Sequence, residues 1–347
     1  MRKRVAIIGN FGNGHAASNG QSVKTISLLT ELIRQFGADN IVRINTFGGV
    51  INLLKAPFQC IKALIAADNI VILPAHNGVR VYVPLLAMLR YFFPKRRLHY
   101  DVIGGWLPDF ISRKPLLRRA LNKFDGIYVE TQTMKKRLES ENFTNVYILP
   151  NFKHLEPVNL DSVEQYSKPY RLCTFSRISK EKGIGDAVEI VCRINDREGA
   201  TLFSLDIYGK VDDGSQEWFE TLQKVFPDYI RYKGIVDFDK SVNVLKDYFA
   251  LLFPTHYYTE GVPGTIIDAY NAGLPVISSK WESFADIVDD NVTGLGYDFD
   301  NVVQLENILV DVASHPQKIL NLKQNCIEKG KSYLPVCAVK TLINNFI

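Results

Sequence analysis

The sequence predicts an α/β protein that contains two doubly wound parallel sheets, one in each of two Rossmann-like domains. The chain has 347 residues, which is too long for one ordinary hydrophobic core and suits two domains. Short apolar runs alternate with helix-length amphipathic segments, the pattern of parallel strands joined by helices. The same alternation starts a second time after a polar, proline-containing stretch that follows Pro150.

Composition and charge exclude several other classes of protein. The chain is 46% hydrophobic and 22% charged, which is typical of a globular protein. Its net charge of +4 is too small to imply a nucleic-acid partner, and its five cysteines lack the paired spacing of zinc sites or disulfides. No apolar run approaches the roughly 20 residues of a membrane span. The basic N-terminus leads into a short apolar run and then a glycine-rich loop, so we expect a first strand there and a cytoplasmic protein.

The N-terminal domain is expected to span residues 1–160. Each of its strands is predicted from a short apolar run bounded by turn-forming residues. These strands are expected at Arg4–Ile8, Asn40–Ile44, Asn69–Leu73, Arg97–Ile103, Gly126–Glu130 and Val146–Leu149. Between the first two strands, the segment SVKTISLLTELIRQF has apolar residues at helical spacing and predicts a helix.

The C-terminal domain is expected to span residues 161–330. Its strands are predicted at Leu172–Ser176, Leu202–Tyr208, Tyr229–Lys233, Ala250–Phe253 and Pro275–Ser278. Residues 331–347 are predicted to form a terminal helix that packs back toward the N-terminal domain. Open parallel sheets bind ligands at the carboxyl ends of their strands, so we expect the two domains to face each other across a cleft that collects loops from both.

A glycine-rich loop, Gly9–Ser22, follows the first strand. Its glycines allow a ligand to approach the backbone closely, and the next helix offers N-terminal amides to an anion, so Gly12 and Gly14 are candidate donor-binding residues. The spacing departs from the dinucleotide-binding fingerprint because the helix begins too late and no acid is placed to hold a ribose. A simple tight turn is the alternative.

Three cations, Arg177, Lys180 and Lys182, lie in the short connection CTFSRISKEKG. Arg177 and Lys182 follow a predicted strand and precede a helix, the position at which two fixed cations can neutralise different oxygens of a diphosphate. Ordinary surface charge is the alternative.

A second connection carries two acids, in the segment TEGVPGTIIDAYNAGLPVI. Glu260 precedes a predicted helix and Asp268 lies within it, on what we expect to be the polar side. Carboxylates are natural acceptors for the vicinal hydroxyls of a sugar or a ribose, although Glu260 could also serve only as a helix cap. The neighbouring candidates for donor binding are Gly261, Pro263, Gly264 and Thr265.

The stretches FSRISKEKG and THYYTEGVPGTIIDAYNAGLPVISS resemble the two signature regions of glycosyltransferase family 4, whose members are retaining enzymes with the two-domain GT-B fold. The resemblance implies that Arg177 and Lys182 hold the donor diphosphate. It also places Glu260 on the donor sugar and Asp268 on the nucleotide ribose, as the two acids of an E-x7-E motif. We therefore predict Glu260, Arg177 and Lys182 as the catalytic residues. The segments LPNF and DIVDDNVTGLGY extend the resemblance along the chain.

Two departures from the family pattern concern individual residues. Asp268 stands where the family usually has glutamate, which shortens its reach by one methylene group. In the N-terminal domain, DVIGGWLPDF has Gly104 and Gly105 where the family often has a histidine near the acceptor. The acceptor-side candidates are His76, Asp101 and Gly104, and His99 is a further candidate to replace the missing histidine. A structural role is the alternative for each histidine.

The resemblance implies transfer of a sugar, with retention, from a nucleotide diphosphate-sugar to a carbohydrate or lipid-linked saccharide. We expect a UDP-sugar as donor, hexosyl transfer without a metal or other cofactor, and a place in cell-surface polysaccharide or glycolipid synthesis. Two alternatives stay open at this point. One is a GT-B-type sugar-nucleotide epimerase, and the other is a non-catalytic nucleotide-sugar-binding partner of another transferase.

The segment Val81–Lys123 mixes large apolar side chains with clustered arginine and lysine. Such a segment can lie on an anionic membrane surface, so we expect peripheral contact with the inner face of the plasma membrane. A core helix with a solvated basic end is the alternative reading.

Overall fold

The computed structural model of the protein describes residues 3–12, 20–159 and 167–347, apart from the side chains of Val50 and Ile51. The chain forms two compact units. One comprises Met1–His154 together with Tyr333–Ile347, and the other comprises Leu155–Ser332. The division falls a few residues before the expected boundary at 160, and the C-terminal segment belongs to the first unit.

The first unit contains a six-stranded parallel sheet with the order β2-β1-β3-β4-β5-β6. Every residue of β1, β3 and β5 is buried, because helices cover both faces of a parallel sheet. The strands are β1 Val5–Gly9, β2 Ile41–Asn45, β3 Asn69–Ile72, β4 Arg97–Asp101, β5 Gly126–Val129 and β6 Val146–Ile148. All six predicted strands are therefore present.

The helices of this unit lie between the strands in sequence. They are α1 Gly20–Phe36, α2 Gly49–Leu53, α3 Ala56–Ala66, α4 His76–Leu89, α5 Leu107–Ile111, α6 Pro115–Leu121 and α7 Gln132–Ser140. Helix α4 packs against both α3 and α6. Its buried side chains, among them Tyr82 and Leu86, join the core beneath the sheet.

The second unit contains another six-stranded parallel sheet, with the order β12-β11-β10-β7-β8-β9. Its strands are β7 Tyr170–Phe175, β8 Phe203–Tyr208, β9 Ile230–Gly234, β10 Ala250–Phe253, β11 Val276–Ser279 and β12 Gly294–Tyr297. Strand β12 was not predicted, because a four-residue segment with two glycines has little strand character. The glycine is needed there: a Cβ on Gly294 would lie 2.3 Å from the carbonyl oxygen of Val276 in β11.

The helices of the second unit are α8 Ile184–Glu198, α9 Gln216–Gln223, α10 Ser241–Leu245, α11 Gly264–Asn271, α12 Phe284–Ile287, α13 Val302–Ser314, α14 Gln317–Leu320 and α15 Lys323–Gly330. The prediction of one terminal helix over residues 331–347, after α15, was wrong. Instead of a single terminal helix, this segment forms a 3₁₀ turn at Lys331–Tyr333 and two short helices, α16 Pro335–Ala338 and α17 Lys340–Asn344. Leu334 is extended because the following proline disfavours a helical conformation at that residue.

The strand order of the second sheet indicates where a ligand would bind. Strands β7 and β10 are neighbours, and the chain leaves them in opposite directions, through β8 and β9 on one side and β11 and β12 on the other. The connections that follow β7 and β10 therefore diverge around a crevice, the place where open α/β sheets bind ligands. No helix among the described residues is both long and apolar enough to cross a bilayer.

Candidate active site

Lys182 and Glu260 meet at this crevice, although 78 positions separate them in sequence. Lys182 follows β7 and Glu260 follows β10, and the Nζ atom of the lysine contacts the carboxylate of the glutamate. The two side chains are only 11% and 15% exposed. The sequence predicted both residues for the site but gave no sign that they would pair with each other.

The two connections are joined by their backbones. Gly183, directly after Lys182, has a φ of 68° and lies so close to Pro254 that a Cβ would come within 1.8 Å of the proline carbonyl oxygen. The N–H of His256 donates to the carbonyl oxygen of Glu181 at 2.8 Å. Only glycine can occupy position 183 without displacing the other chain, so this residue helps to place Lys182.

Glu260 has a second partner, Thr255. The hydroxyl of Thr255 donates to Glu260 Oε1 at 3.2 Å, and the carbonyl oxygen of Thr255 accepts from the hydroxyl of Ser279 in β11 at 2.6 Å. The Nζ atom of Lys182 lies 5.1 Å from the ring centre of Tyr257, within the range of a cation–π contact. Hydrogen bonds from the residues at the ends of β10 and β11 thus help to position the Lys182–Glu260 pair.

Helix α11 begins directly beside this pair. Its N-cap residue, Pro263, has an extended backbone and supplies no side-chain hydrogen bond, so the first N–H groups of the helix have no cap partner. The hydroxyl of Thr265 is buried and has no hydrogen-bond partner among the described residues. Gly261 and Pro263 are buried, and Gly264 is partly exposed. A helix start with uncapped amides favours an anionic ligand.

Asp268 lies deeper than its predicted role requires. Its side chain accepts a hydrogen bond from the hydroxyl of Ser241 at 2.9 Å, and the residue is only 2% exposed. All residues from Thr265 to Asn271 are buried, so the expected polar side of α11 is absent. The contact between Asp268 and a ribose stays a prediction.

Arg177 lies at the same edge of the sheet but contacts a different acid. Its guanidinium pairs with Asp212, which follows β8, at 2.8 Å, and its side chain is 54% exposed. The connection after β8 packs closely here: a Cβ on Gly209 would lie 1.8 Å from the carbonyl oxygen of Ser176. The two predicted phosphate-binding cations therefore lie on the same connection, between β7 and α8, but each pairs with a different acid.

His256 belongs to the same edge and was not assigned a role from the sequence. Its Nε2 atom lies 3.0 Å from Asp186 Oδ2, and its Nδ1 atom lies 2.6 Å from Asp300 Oδ1. Burial raises the pKa of Asp186, and the facing histidine opposes that rise. His256 and Asp186 also line an open pocket of about 410 Å³, together with Trp218. The position of His256 directly after β10 was the one available sequence signal.

The first unit places His76 at the start of α4, beyond the end of β3. The imidazole stacks on Trp106, with 3.9 Å between ring centroids, and Trp106 follows β4. Burial lowers the pKa of His76, and the nearby cations Arg80 and Lys114 lower it further. Gly104 has a φ of 80°, and a Cβ there would touch the Trp106 ring at 3.4 Å. His76 and Gly104 therefore both lie beside Trp106.

Asp101 and His99 lie inside the first unit. Asp101 has no exposed surface and pairs with Lys24 of α1 at 2.9 Å, and Lys24 also pairs with Glu130 at 3.0 Å. Burial raises the pKa of Asp101 to about 6. His99 is buried, its Nδ1 atom lies 3.1 Å from the hydroxyl of Tyr128, and burial lowers its pKa to about 3. These contacts support structural roles, and acceptor binding by Asp101 stays a prediction.

The loop after β1 is described only as far as Gly12, and Gly14 lies outside the described residues. The N–H of Gly12 donates to the side chain of Asn10 at 2.9 Å, and its carbonyl oxygen accepts from Asn45 at 2.7 Å. Both backbone groups of Gly12 are therefore already paired. Within the described ranges, no group of three or more His, Cys, Asp or Glu side chains is arranged to hold a metal ion.

The chain is similar to known proteins both in sequence and in structure. Residues 169–315 match the family model described as "Glycosyl transferases group 1". A curated relative, the amylovoran biosynthesis glycosyltransferase AmsK of Erwinia amylovora, is 27% identical over 160 residues, which are 45% of this chain and 38% of that protein. The match thus spans well under half of the relative's length.

Solved structures match the chain over nearly its whole length. Anabaena Alr3699/HepE in complex with UDP has a TM-score of 0.75 at 12% identity and covers 98% of each chain. Sucrose-phosphate synthase (tll1590) from Thermosynechococcus elongatus has a TM-score of 0.74 at 14% identity, covering 99% of this chain and 98% of that one. These likenesses confirm the predicted pair of Rossmann-like α/β domains. The loops after β7 and β10 therefore lie in the part of the chain, residues 169–315, that matches group 1 glycosyl transferases.

Proposed function

We propose that the protein is a retaining glycosyltransferase that moves a hexosyl group from a UDP-sugar to a hydroxyl of a saccharide or lipid-linked saccharide, in the synthesis of a cell-surface polysaccharide or glycolipid. One observation carries the proposal: the Lys182–Glu260 pair stands at the crevice between β7 and β10, beside the uncapped start of α11. A cation, a carboxylate and free amides are the groups that a diphosphate bound to a sugar requires.

The relatives support the same assignment. Residues 169–315, which carry every proposed donor-site residue of the second unit, match group 1 glycosyl transferases. The relative AmsK is named for glycosyl transfer in amylovoran biosynthesis, and the HepE structures contain UDP or UDP-glucose. We extend these properties to this chain as part of the proposal, including the choice of uracil as the base of the donor nucleotide.

The proposed reaction begins with a change of partner. Lys182 pairs with the entering diphosphate instead of with Glu260. Arg177 and the N-terminal amides of α11 stabilise the remaining negative charge of the diphosphate. Glu260 is then free to accept hydrogen bonds from hydroxyl groups of the donor sugar. The bond from the anomeric carbon to the diphosphate oxygen breaks while the acceptor oxygen bonds to that carbon on the same face. The acceptor proton passes to the departing phosphate oxygen, so retention needs no nucleophile from the protein.

Product analysis tests this function against its two alternatives. The purified protein is incubated with UDP-glucose or UDP-galactose, alone and with a saccharide acceptor, in the presence and absence of EDTA. We expect acceptor-dependent release of UDP that EDTA does not reduce, and a product with the anomeric configuration of the donor. Epimerised UDP-sugar formed without acceptor would identify an epimerase, and binding without any turnover would identify a non-catalytic partner.

We also propose that the first unit contacts an anionic membrane through Val81–Lys123, which would place the protein at the inner face of the plasma membrane. Tyr91 and Phe92, just beyond α4, are 86% and 71% exposed, and Leu116 on the adjacent α6 is 76% exposed. Exposed Lys95 and Arg119 lie in the same segment. Apolar side chains beside cations suit the interface of an anionic bilayer.

Liposome sedimentation tests the membrane contact. We expect the wild-type protein to bind vesicles that contain phosphatidylglycerol more strongly than neutral vesicles, and the Tyr91→Ser/Phe92→Ser variant to lose most of this binding. The matched control is Val225→Ser/Ile235→Ser, which removes two exposed apolar side chains from the second unit. Equal loss in both variants, or no binding by the wild type, contradicts the proposal.

A further inference from the structure

An aromatic cluster of three side chains lies at the carboxyl edge of the first sheet, where the connections after β3 and β4 meet. His76 stacks on Trp106 with an interplanar angle of 28°. The centroid of the Phe110 ring lies 5.2 Å from each of the other two rings, and both meet it nearly at right angles. His76 is exposed and the other two rings are partly exposed, so the cluster is open to solvent along this edge.

Two cations flank the cluster without a carboxylate partner. The guanidinium of Arg80 lies 5.0 Å from the centre of the Phe110 ring, and Lys114 Nζ lies 4.0 Å from it. Within the part of the chain that the structure describes, neither cation forms an ion pair, and Asp109, the acid of α5, pairs instead with Arg137. Two cations on one ring repel each other, and a bound anion would relieve that repulsion.

The titration of His76 is consistent with a positive local potential. The partial burial of its ring against Trp106 is the largest cause that lowers its pKa, and the charges of Arg80 and Lys114 lower the pKa further. The imidazole is therefore neutral at pH 7, so it can accept one hydrogen bond and donate another to a hydroxyl group. Among the residues that the structure describes, no carboxylate contributes to this lowering of the pKa.

We propose that His76, Arg80, Trp106, Phe110 and Lys114 form an acceptor platform that selects a saccharide with an anionic group, phosphate or carboxylate, on or next to the ring that it binds. The aromatic rings and the imidazole contact the apolar face and the hydroxyls of the sugar, while Arg80 and Lys114 take the anion. This inference rests on the proposed function, because it names the class of acceptor for that reaction. The anion could be a lipid-linked phosphate or the carboxylate of a uronic acid.

Trp106 provides a reporter that needs neither donor nor turnover. The chain has three tryptophans, so Trp218→Phe and Trp281→Phe leave Trp106 as the single emitter. Three probes are titrated at constant ionic strength: glucose 1-phosphate, methyl glucuronide and neutral methyl glucoside. We expect at least one anionic probe to bind about tenfold more tightly than methyl glucoside, because hydrogen bonds between charged groups are roughly twice as strong as neutral ones.

Substitution of the two cations tests their role. Arg80→Gln/Lys114→Gln should remove the preference for the anionic probe and leave the affinity for methyl glucoside unchanged. Lys62→Gln, which removes an exposed cation from α3 that has been placed neither in the platform nor in the membrane contact, is the matched control and should keep the preference. Preference for glucose 1-phosphate points to a phosphate-bearing acceptor, and preference for methyl glucuronide points to a uronic acid.

Three results would overturn the inference: no binding of any probe, equal affinity for charged and neutral probes, or a preference that Lys62→Gln reduces as much as the double variant does. None of these results depends on UDP or on transfer. Failure of the proposed function would appear separately, as absence of acceptor-dependent UDP release.

Discussion

At the scale of single residues, the contact between Lys182 and Glu260 gives the two side chains a structural role in addition to the chemical one that we propose. Each is mostly buried, so removal of one leaves the other charge without its partner. A loss of activity in a single variant would therefore combine lost chemistry with lost stability, and a paired substitution is needed to separate them.

We predict that Lys182→Met and Glu260→Gln each lower the free energy of unfolding by about 3 kcal/mol, the cost of breaking a buried ion pair. Lys182→Met/Glu260→Gln should cost clearly less than the sum of the two single variants, because no unpaired charge remains. Transfer should fall by about 100-fold or more in all three proteins. Urea denaturation and initial rates measure the two effects, and near-normal transfer by the folded double variant would remove both residues from the donor site.

His99 makes stability depend on pH. Burial lowers its pKa from 6.5 to about 3, so below pH 6.5 the unfolded chain binds a proton that the folded protein does not. Stability is therefore lost as the pH falls from 6.5 toward 3. His99→Gln keeps a hydrogen-bond acceptor for Tyr128 but does not titrate. Between pH 6.5 and 5 we expect the wild type to lose about 1.6 kcal/mol more than this variant, measured by urea denaturation. Parallel pH profiles would contradict this prediction.

Sequence reasoning found the residue types of the candidate site but not their partners. Arg177, Lys182 and Glu260 could be named because they follow strands and match a motif. That Lys182 pairs with Glu260 and Arg177 with Asp212 depends on which strands are neighbours in the sheet. The burial of Asp268 was missed because the helix period alone does not reveal that every side of α11 is covered.

At the scale of elements, the turn after β7 depends on a glycine that touches the neighbouring connection. Gly183 and Gly199 flank helix α8, with φ values of 68° and 61°. A Cβ at Gly183 would meet the Pro254 carbonyl oxygen at 1.8 Å, whereas a Cβ at Gly199 would have no atom within 4 Å. The two positions therefore share a left-handed backbone conformation, which would be strained in any residue with a Cβ, but they differ in packing.

We predict that Gly199→Ala costs about 1 kcal/mol, the strain of a left-handed residue that carries a Cβ. Gly183→Ala should cost more and should also abolish nucleotide binding, because the connection that carries Glu260 must move. Thermal unfolding with and without UDP measures both effects. Equal destabilisation with nucleotide binding retained in both variants would show that the contact with Pro254 does not position the site.

The strands could be predicted almost completely, because a buried parallel strand is a short apolar run between turn residues. Eleven of the strands were located in this way. Strand β12 was missed because its two glycines have little strand character: Gly294 fits closely against β11, and Gly296 fits against the side chains of Lys280 and Phe284. The terminal helix was predicted as one element, but Pro335 forces an extended residue before it and divides the segment.

At the scale of the whole molecule, both units have the same plan, a six-stranded parallel sheet with helices on its faces. In each unit, a group of candidate residues lies at the carboxyl edge of the sheet: the proposed acceptor platform in the first and the mostly buried Lys182–Glu260 pair in the second. The fold class followed from the alternation of elements, whereas the choice of nucleotide, sugar and acceptor depends on side-chain contacts that periodicity does not encode.

The most direct test of the central claim is a thermal-shift measurement with UDP, GDP, ADP and their common sugars, on the wild type and on Lys182→Met. A ligand that binds only the folded protein at about 100 times its Kd adds roughly 2.7 kcal/mol of stability. We predict that UDP and UDP-sugars raise the melting temperature of the wild type and that Lys182→Met, compared with its own ligand-free value, loses this rise. No stabilisation by any nucleotide, or an undiminished shift in the variant, would contradict a nucleotide-sugar site at Lys182 and Glu260.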